Sequence, residues 1–425
     1  MSNIPRGTRD FLPFEQIQRE ILIEKIKKVF RKWGFDPIET PTFEYYNTLS
    51  NKYGEEGEKL IYKFTDLKGR ELGLKYDLTV PLARFFADHQ NEIVKPFKRY
   101  QIQPVFRAER PQKGRYREFY QCDIDILGSK NPLSDAIIIL TINSALKEIG
   151  LNDFFFKINH RNLFYSISRV FNVEGKEIEL ARSIDKLEKI GVDGVRNELI
   201  NKGFEEEKAD KILKFIFSIN TLDELMRNLN DEHSQKAYFE LFEIFKYLDE
   251  FNVNFKFDIS LARGLDYYTG MIFETELKNV KIGSIASGGR YDNLVEIFAK
   301  YPVPAVGGSI GIDRLLVALS ELELLNLQKT YSEVLIAFAQ YNEEIINYSF
   351  KVLKVVQSFG YNVDLYCGNK DLRGQIGYAK DKGIDIVIII GSKEVENETV
   401  QIKFLSKSEQ KEVKIYELEK CFNTK

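Results

Sequence analysis

The chain has 425 residues, with 61 Lys plus Arg against 64 Asp plus Glu and a formal net charge of −3. That near-balance argues against a wholly basic nucleic-acid coat, though it leaves room for a local basic groove. A hydrophobic fraction of 44% beside a charged fraction of 29% is that of a globular chain, and the length suits two or three domains.

Leu22, Ile26, Val29, Phe30 and Trp33 share one face of a helix predicted over 14–33 and stopped by Gly34. Residues 35–41 read as extended. Residues 60–78 read as a hairpin turning at Asp66-Leu67-Lys68-Gly69. A helix follows, with Thr79 as the expected cap and Pro81 in its first turn. Strands are predicted over 97–107 and 118–127, flanking the loop from Arg110 to Arg117. A helix from Asp135 to Glu148 and a strand from Phe154 to Ile158 come next. From about 163 to 250 helical periodicity dominates, predicting an inserted helical subdomain. Strand patterns return at 257–261, 267–277 and 282–287. The stretch Gly307-Gly308-Ser309-Ile310-Gly311 then leads into a helix near Asp313.

The last section alternates strand and helix: Val334 to Ala339, Glu343 to Phe359, Asn362 to Tyr366, Leu372 to Lys382 and Ile384 to Ile390. This βαβαβ order implies parallel pairing in a separate α/β domain. The expected fold class is therefore α+β. An antiparallel-sheet domain with a helical insertion occupies 1–328, and a smaller α/β domain occupies 331–425.

Conventional chemistry is thinly represented. Cys122, Cys367 and Cys421 form no CxxC pair, and His89, His160 and His233 are scattered. A disulfide framework, a cysteine zinc site and a His-based hydrolase all fit poorly. The opening Met-Ser-Asn-Ile-Pro-Arg carries no apolar leader, and the run Val334 to Ala339 is far too short to span a bilayer. The expectation is a cytoplasmic chain without a membrane partner.

Charge is concentrated locally. Residues 98–117 hold seven Lys or Arg against one acid, Glu109. Arginines in a loop between strands can bind phosphate oxygens bidentately, while an exposed basic hairpin accounts for the same pattern. On the following strand Gln121, Asp123 and Asp125 share one face and Cys122, Ile124 and Ile126 the other. A polar face suits a small zwitterion, or simply solvent. Three further clusters are Arg263 to Gly270, Ser287 to Asp292, and Gly307 to Arg314, with Tyr267 and Tyr268 expected to point to opposite faces. Neither a Gly-x-x-x-x-Gly-Lys-Ser/Thr loop nor a Gly-x-Gly-x-x-Gly turn occurs, so any ATP site would rest on arginines of an antiparallel sheet.

These residues resemble the class II aminoacyl-tRNA synthetases, and within them the histidyl-tRNA synthetase family, along nearly the whole chain. The resemblance runs through Pro5-Arg6-Gly7-Thr8-Arg9-Asp10, Leu74 to Thr79, and Phe106 to Phe119, which is similar to motif 2. Arg263 to Tyr268 is similar to the histidine-specific motif and Gly307 to Leu315 to motif 3. Residues 331–425 are similar to the anticodon-binding domain, and motif 1 is the loosest match, around Pro41 to Asn47.

The resemblance implies ATP and L-histidine as substrates, Mg²⁺ carried with ATP, tRNA(His) as acceptor and a homodimer. Arg107 would hold the α-phosphate and the histidine carboxylate, Glu109 would read the adenine amino group, and Phe119 would stack on the base. Arg115 and Arg314 would bind the outer phosphates. Asp77, Thr79 and Gln121 would hold the α-amino group. Asp125, Tyr267, Tyr268 and Tyr291 would surround the imidazole. Arg263 would supply a fixed cation at the α-phosphate, whose loss costs on the order of 10²–10³ in rate. Arg110 and Gln112 would face the tRNA acceptor end, and no protein metal ligand is implied.

Asp77 and Asp125 are one methylene shorter than the Glu common in the family, and Ala108 replaces a larger residue. Segment 331–425 carries 13 Lys plus Arg against 14 Asp plus Glu, unlike the usual basic nucleic-acid module. Its tRNA contacts would then rest on clustered cations such as Lys370, Arg373, Lys380 and Lys382, or on stacking and hydrogen bonds. The alternative is a histidine-sensing regulatory paralogue, the regulatory subunit of ATP phosphoribosyltransferase, which charges no tRNA. Arg107, Arg263, Arg314 and a full C-terminal segment in one chain speak against it.

Overall fold

A computed structural model describes residues 3–50, 52, 57–112, 114–262, 267–326 and 328–422. The chain divides into two compact units, Met1–Arg9 with Leu22–Leu324, and Asp10–Ile21 with Leu325–Lys425. The helix Pro13–Lys32 contributes its first turns to the second unit and the rest to the first.

The strands in chain order are β1 (Asp36–Pro37), β2 (Phe43–Tyr45), β3 (Lys63–Thr65), β4 (Glu71–Leu74), β5 (Phe97–Phe106), β6 (Glu118–Leu127), β7 (Phe154–His160) and β8 (Phe255–Phe257). They continue with β9 (Met271–Leu277), β10 (Ala286–Arg290), β11 (Ala305–Gly311), β12 (Val334–Phe338), β13 (Val363–Leu365), β14 (Ile386–Ile390), β15 (Thr399–Phe404) and β16 (Glu409–Lys414). Among the described residues the first unit holds an eight-stranded sheet in the order β1-β5-β6-β11-β10-β9-β7-β8 and a small sheet β2-β4-β3. Its pairings are antiparallel except β1 with β5 and β7 with β8.

Period two explains how the large sheet is clothed. Cys122 and Ile124 of β6, Ile310 of β11 and Phe273 of β9 are buried on the face where Ile138 and Ile142 of the helix Pro132–Glu148 pack over Gly308. Each fully buried Ile contributes about 1.5–3 kcal/mol. That helix starts three residues earlier than its periodicity predicts. Asn131 caps it by accepting from Leu133 N, and Pro132 occupies a first-turn position whose N–H has no helical partner. The other face of β6 is left for chemistry.

Between β7 and β8 run the helices Asn162–Val170, Glu177–Ile184, Leu187–Asn201, Glu206–Ser218, Leu222–Asn228 and Glu232–Glu250. These fill the segment read as helical.

Four local readings need correction. Thr79 does not cap the helix Thr79–Asp88; Asp77 does that work, its Oδ1 accepting from Val80 N at 3.1 Å. The stretch Gly307–Gly311, read only as leading into a helix, is itself part of a strand, β11. Strand β9 begins at Met271, so Tyr267 and Tyr268 precede it and do not alternate across a sheet. The strands read at 257–261 and 282–287 lie instead at Phe255–Phe257 and Ala286–Arg290.

In the second unit β13-β12-β14 pair in parallel, as the βαβαβ pattern requires, with the helices Glu343–Ser358 and Leu372–Lys382 as crossovers. Asn342 and Asp371 cap these helices, and Gly383, with φ of 83°, ends the second. Beyond the sequence reading, β15 and β16 extend this sheet antiparallel. Lys382 is paired with Asp364 at 2.5 Å, which removes it from the cations expected to cluster for nucleic acid.

Candidate active site

The polar face of β6 forms the floor of a cleft in the first unit. Register places Asp125 opposite Gly307, Asp123 opposite Ser309 and Gln121 opposite Gly311. Gln121 Nε2 donates to Ser309 Oγ at 3.1 Å. The glycines are there to leave space. A Cβ on Gly307 would stand 1.9 Å from Asp125 Oδ1, and one on its neighbour Gly289 would meet the Tyr268 ring at 3.0 Å.

One end of the cleft is acidic. Asp125 is buried and faces Arg99, its register partner on β5, in an ion pair of 2.5 Å. The Tyr291 hydroxyl donates to the other Asp125 oxygen. Asp77 and Asp123 lie at the same end, so the fully buried Arg99 faces more carboxylate charge than it can neutralise. Burial raises the Asp125 pKa even though Arg99 and Tyr291 pull it down. Burial pushes Asp123 up to about 7 against the same arginine, with the neighbouring carboxylates adding to the rise. Asp123 Oδ1 and Gln121 Oε1 are buried without a hydrogen-bond partner. Buried acceptors in this state call for a donor, and a cationic one is favoured.

The other end is basic. Arg107, Arg115 and Arg314 line it with Glu109, which stands 4.0 Å from Arg115. Arg107 lies over the Tyr76 ring at 4.3 Å and the Phe119 ring at 5.1 Å, and its Nε donates to Tyr76 O at 3.2 Å. Arg314 donates to Ser284 O at 2.7 Å. Its guanidinium is thus partly aimed before any ligand arrives. A cleft with carboxylates at one end and guanidinium groups at the other fits an ammonium-bearing molecule joined to a polyphosphate.

Most of the sequence-predicted residues meet in this cleft: Asp77, Thr79, Arg107, Glu109, Arg115, Phe119, Gln121, Asp125, Tyr267, Tyr268, Tyr291 and Arg314. Tyr267 and Tyr268, read as pointing apart, both line it, with their rings edge to face at 5.1 Å. Arg110 and Gln112 are exposed on the loop, where the Gln112 and Arg115 backbones exchange hydrogen bonds of 3.0 and 2.9 Å. Arg263 lies outside the described residues.

Several basic residues of the 98–117 run have structural roles instead. Lys98 donates to Trp33 O, and Arg117 donates to Glu109 O and Arg6 O. Arg290, in the cluster Ser287 to Asp292, is buried and paired with Asp135, whereas Ser287 and Tyr291 line the cleft and Tyr291 meets Asp125. Sequence reasoning missed Arg99 as the partner of Asp125. It put Asp123 on the polar face and Ser309 and Asp313 in the Gly307 cluster without giving them a role, and it missed Asp185, which the helical segment contributes. The hairpin register carried a usable signal for Arg99, because it sits directly across from Asp125.

Comparison with known proteins agrees with this geometry. A family model described as histidyl-tRNA synthetase matches residues 7–315, and one described as anticodon binding domain matches 333–425. The histidine–tRNA ligase of Cytophaga hutchinsonii is 39% identical, over 96% of this chain and 96% of that protein. That of Korarchaeum cryptofilum is 40% identical, over 98% and 97%. The crystal structure of histidyl-tRNA synthetase from Nostoc sp. PCC 7120 superimposes with a TM-score of 0.85 at 32% identity, covering 99% of this chain and 98% of that one.

Proposed function

The chain belongs to the histidyl-tRNA synthetase family, and from that premise we infer that it is a histidine–tRNA ligase acting in the two ends of one cleft. Histidine and ATP give histidyl-adenylate and pyrophosphate, and histidine then passes to the 3′ end of tRNA(His). The observation that carries this reading is the charge-segregated cleft, with Asp77, Asp123 and Asp125 at one end and Arg107, Arg115 and Arg314 at the other.

In the first step the substrate's own carboxylate attacks the α-phosphorus. A bond forms from carboxylate oxygen to phosphorus, the bond to the bridging oxygen breaks, and pyrophosphate leaves. No protein nucleophile is required. Asp77, Thr79 and Gln121 hold the α-ammonium group, while Asp125, Tyr267, Tyr268 and Tyr291 surround the imidazole. Tyr291 and Arg99 fix Asp125, so a single carboxylate faces the ring with its orientation set. A hydrocarbon side chain would leave that carboxylate without a ligand donor, which is the basis of discrimination.

Arg107 holds the α-phosphate beside the reacting carboxylate, its plane set by Tyr76 and Phe119. Such a preorganised cation costs no reorganisation as charge develops. Glu109 and Phe119 take the adenine, and Arg115 and Arg314 the outer phosphates. Arg263 carries its proposed role at the α-phosphate from the sequence resemblance alone. Mg²⁺ would enter as the ATP complex, held largely by phosphate oxygens and water.

The exposed Arg110 and Gln112 would meet the acceptor end, and the second unit would bind the anticodon. That unit's near-neutral charge favours stacking and hydrogen bonding there. We also propose a homodimer, supported by the exposed Phe43, Tyr45 and Phe64 on the small β2-β4-β3 sheet. Among the described residues no helix is long and apolar enough to cross a membrane. We propose a cytoplasmic setting because the reaction draws on tRNA and ATP. Incubation with ATP, labelled histidine and a tRNA(His) transcript tests the reading. Acid-precipitable label on that transcript alone supports it, and no label on any tRNA overturns it.

A further inference from the structure

The N-terminal segment that contributed only to the family resemblance lies across the base of the ATP end. Arg117 N donates to Gly7 O at 2.8 Å, and Arg117 Nη1 donates to Arg6 O at 3.1 Å. Gly7 has a φ of 91°, and a Cβ there would stand 2.7 Å from Pro111 Cγ. The strap therefore presses against both limbs of the loop that carries Arg115. Arg9 goes further. Its guanidinium carbon lies 3.3 Å from the centroid of the Tyr116 ring, and it pairs with the buried carboxylate of Asp313.

Asp313 is a junction. Its second oxygen accepts from Tyr120 N at 3.1 Å, it sits in the first turn of the helix Ile312–Glu321, and Arg314 follows it. Arg314 in turn packs its stem near Gly114, where a Cβ would lie 3.5 Å away. One guanidinium thus joins the loop bearing Arg115 to the helix turn bearing Arg314, the two residues assigned to the outer phosphates. A planar arginine suits both contacts at once, stacking on the ring while its edge meets the carboxylate.

We propose that Arg9 is a positioning residue for ATP: it clamps Tyr116 to Asp313 and so fixes the spacing of Arg115 and Arg314. This rests on the synthetase reading of the cleft. The contacts of Arg9 with Tyr116 and Asp313 both lie at the nucleotide end, so the effect falls chiefly on the nucleotide.

The test uses the full chain. ATP binding with Mg²⁺ is measured by calorimetry, and ATP–pyrophosphate exchange gives separate KM values for ATP and histidine. Arg9→Ala should raise the ATP Kd and KM about 10-fold, as expected when positioned groups shift indirectly. The histidine KM should stay within about twofold, because Arg9, Tyr116 and Asp313 are assigned to no histidine contact. Arg9→Lys, which keeps the charge but not the planar stack on Tyr116, should recover only part of the loss. A purely structural role would lower the active fraction and leave both KM values alone. Should Arg9→Ala fail to fold, Tyr116→Leu removes the stacking surface and carries the same expectation. An ATP Kd unchanged in either variant, or a histidine KM rising in parallel, overturns the clamp. Wild-type chain that binds ATP yet exchanges no pyrophosphate with histidine would overturn the synthetase reading, while the Kd comparison still decides the clamp.

Discussion

Replacing Arg99 by Met isolates the electrostatics of the acidic end. Arg99 is fully buried, and its ion pair with Asp125 is the close cationic contact of that carboxylate. Removing one member of a buried pair costs about 3–5 kcal/mol, since the other is left charged and dry. Asp125 can escape part of that cost by taking up a proton. Its pKa is already raised by burial, and losing Arg99 removes the strongest pull holding it down. The penalty therefore grows with pH, by about 1.4 kcal/mol per unit while Asp125 must be held protonated against the solvent. A carboxylate with a raised folded-state pKa is best tolerated at low pH; stability falls as pH climbs from its unfolded value toward that raised pKa and levels off above it. The variant should lose little stability near pH 5 and most near pH 8. Trp33 is the only tryptophan and lies in the first unit, so its fluorescence during urea unfolding reports on that unit alone. The double variant Arg99→Met/Asp125→Asn should recover much of the loss at pH 8 while still binding histidine poorly. A loss below about 1 kcal/mol at pH 8, or one independent of pH, would refute the argument.

Histidine binding should be linked to proton release. Asp123, pushed up to about 7 by burial, is partly protonated in the empty cleft near neutrality. An incoming ammonium stabilises the ionised form and expels that proton, so affinity should rise between pH 6 and pH 8. Calorimetry in buffers of different ionisation enthalpy measures the release, and zero protons released at pH 6.5 would contradict it. Gly307→Ala places a methyl where Asp125 Oδ1 now sits and 2.9 Å from Ile124 O. The carboxylate must move, and histidine KM should rise about 100-fold, with about 1–3 kcal/mol lost to overpacking. A KM within threefold of wild type would show that the floor has room to spare.

The legible part of this fold is the part with strong period. The βαβαβ order of 334–390 and the two-faced strand β6 follow from alternation and buried runs. The glycine-rich β11 was opaque because Gly carries no side chain to reveal a face. Its strand is held by register with β6 and β10 rather than by propensity. The site was legible through its cluster of motifs, yet two kinds of residue escaped. Arg99 was indistinguishable by composition from its basic neighbours. Only pairing reveals it, since Arg99 and Asp125 each lie thirteen residues from Gln112 in the hairpin. Asp185 comes from the helical segment, far from the motifs, and Arg9, though inside the Pro5 to Asp10 stretch, is brought to Asp313 only by tertiary packing.

The central claim is that one cleft activates histidine with ATP. ATP–pyrophosphate exchange, run with each of the twenty amino acids separately, measures this step alone and needs no tRNA. The account predicts exchange with histidine and with no other. Exchange with a different amino acid would contradict the assignment of Asp125 and Tyr291 to the imidazole. Absence of exchange, alongside calorimetric binding of histidine, would move the chain to the regulatory class.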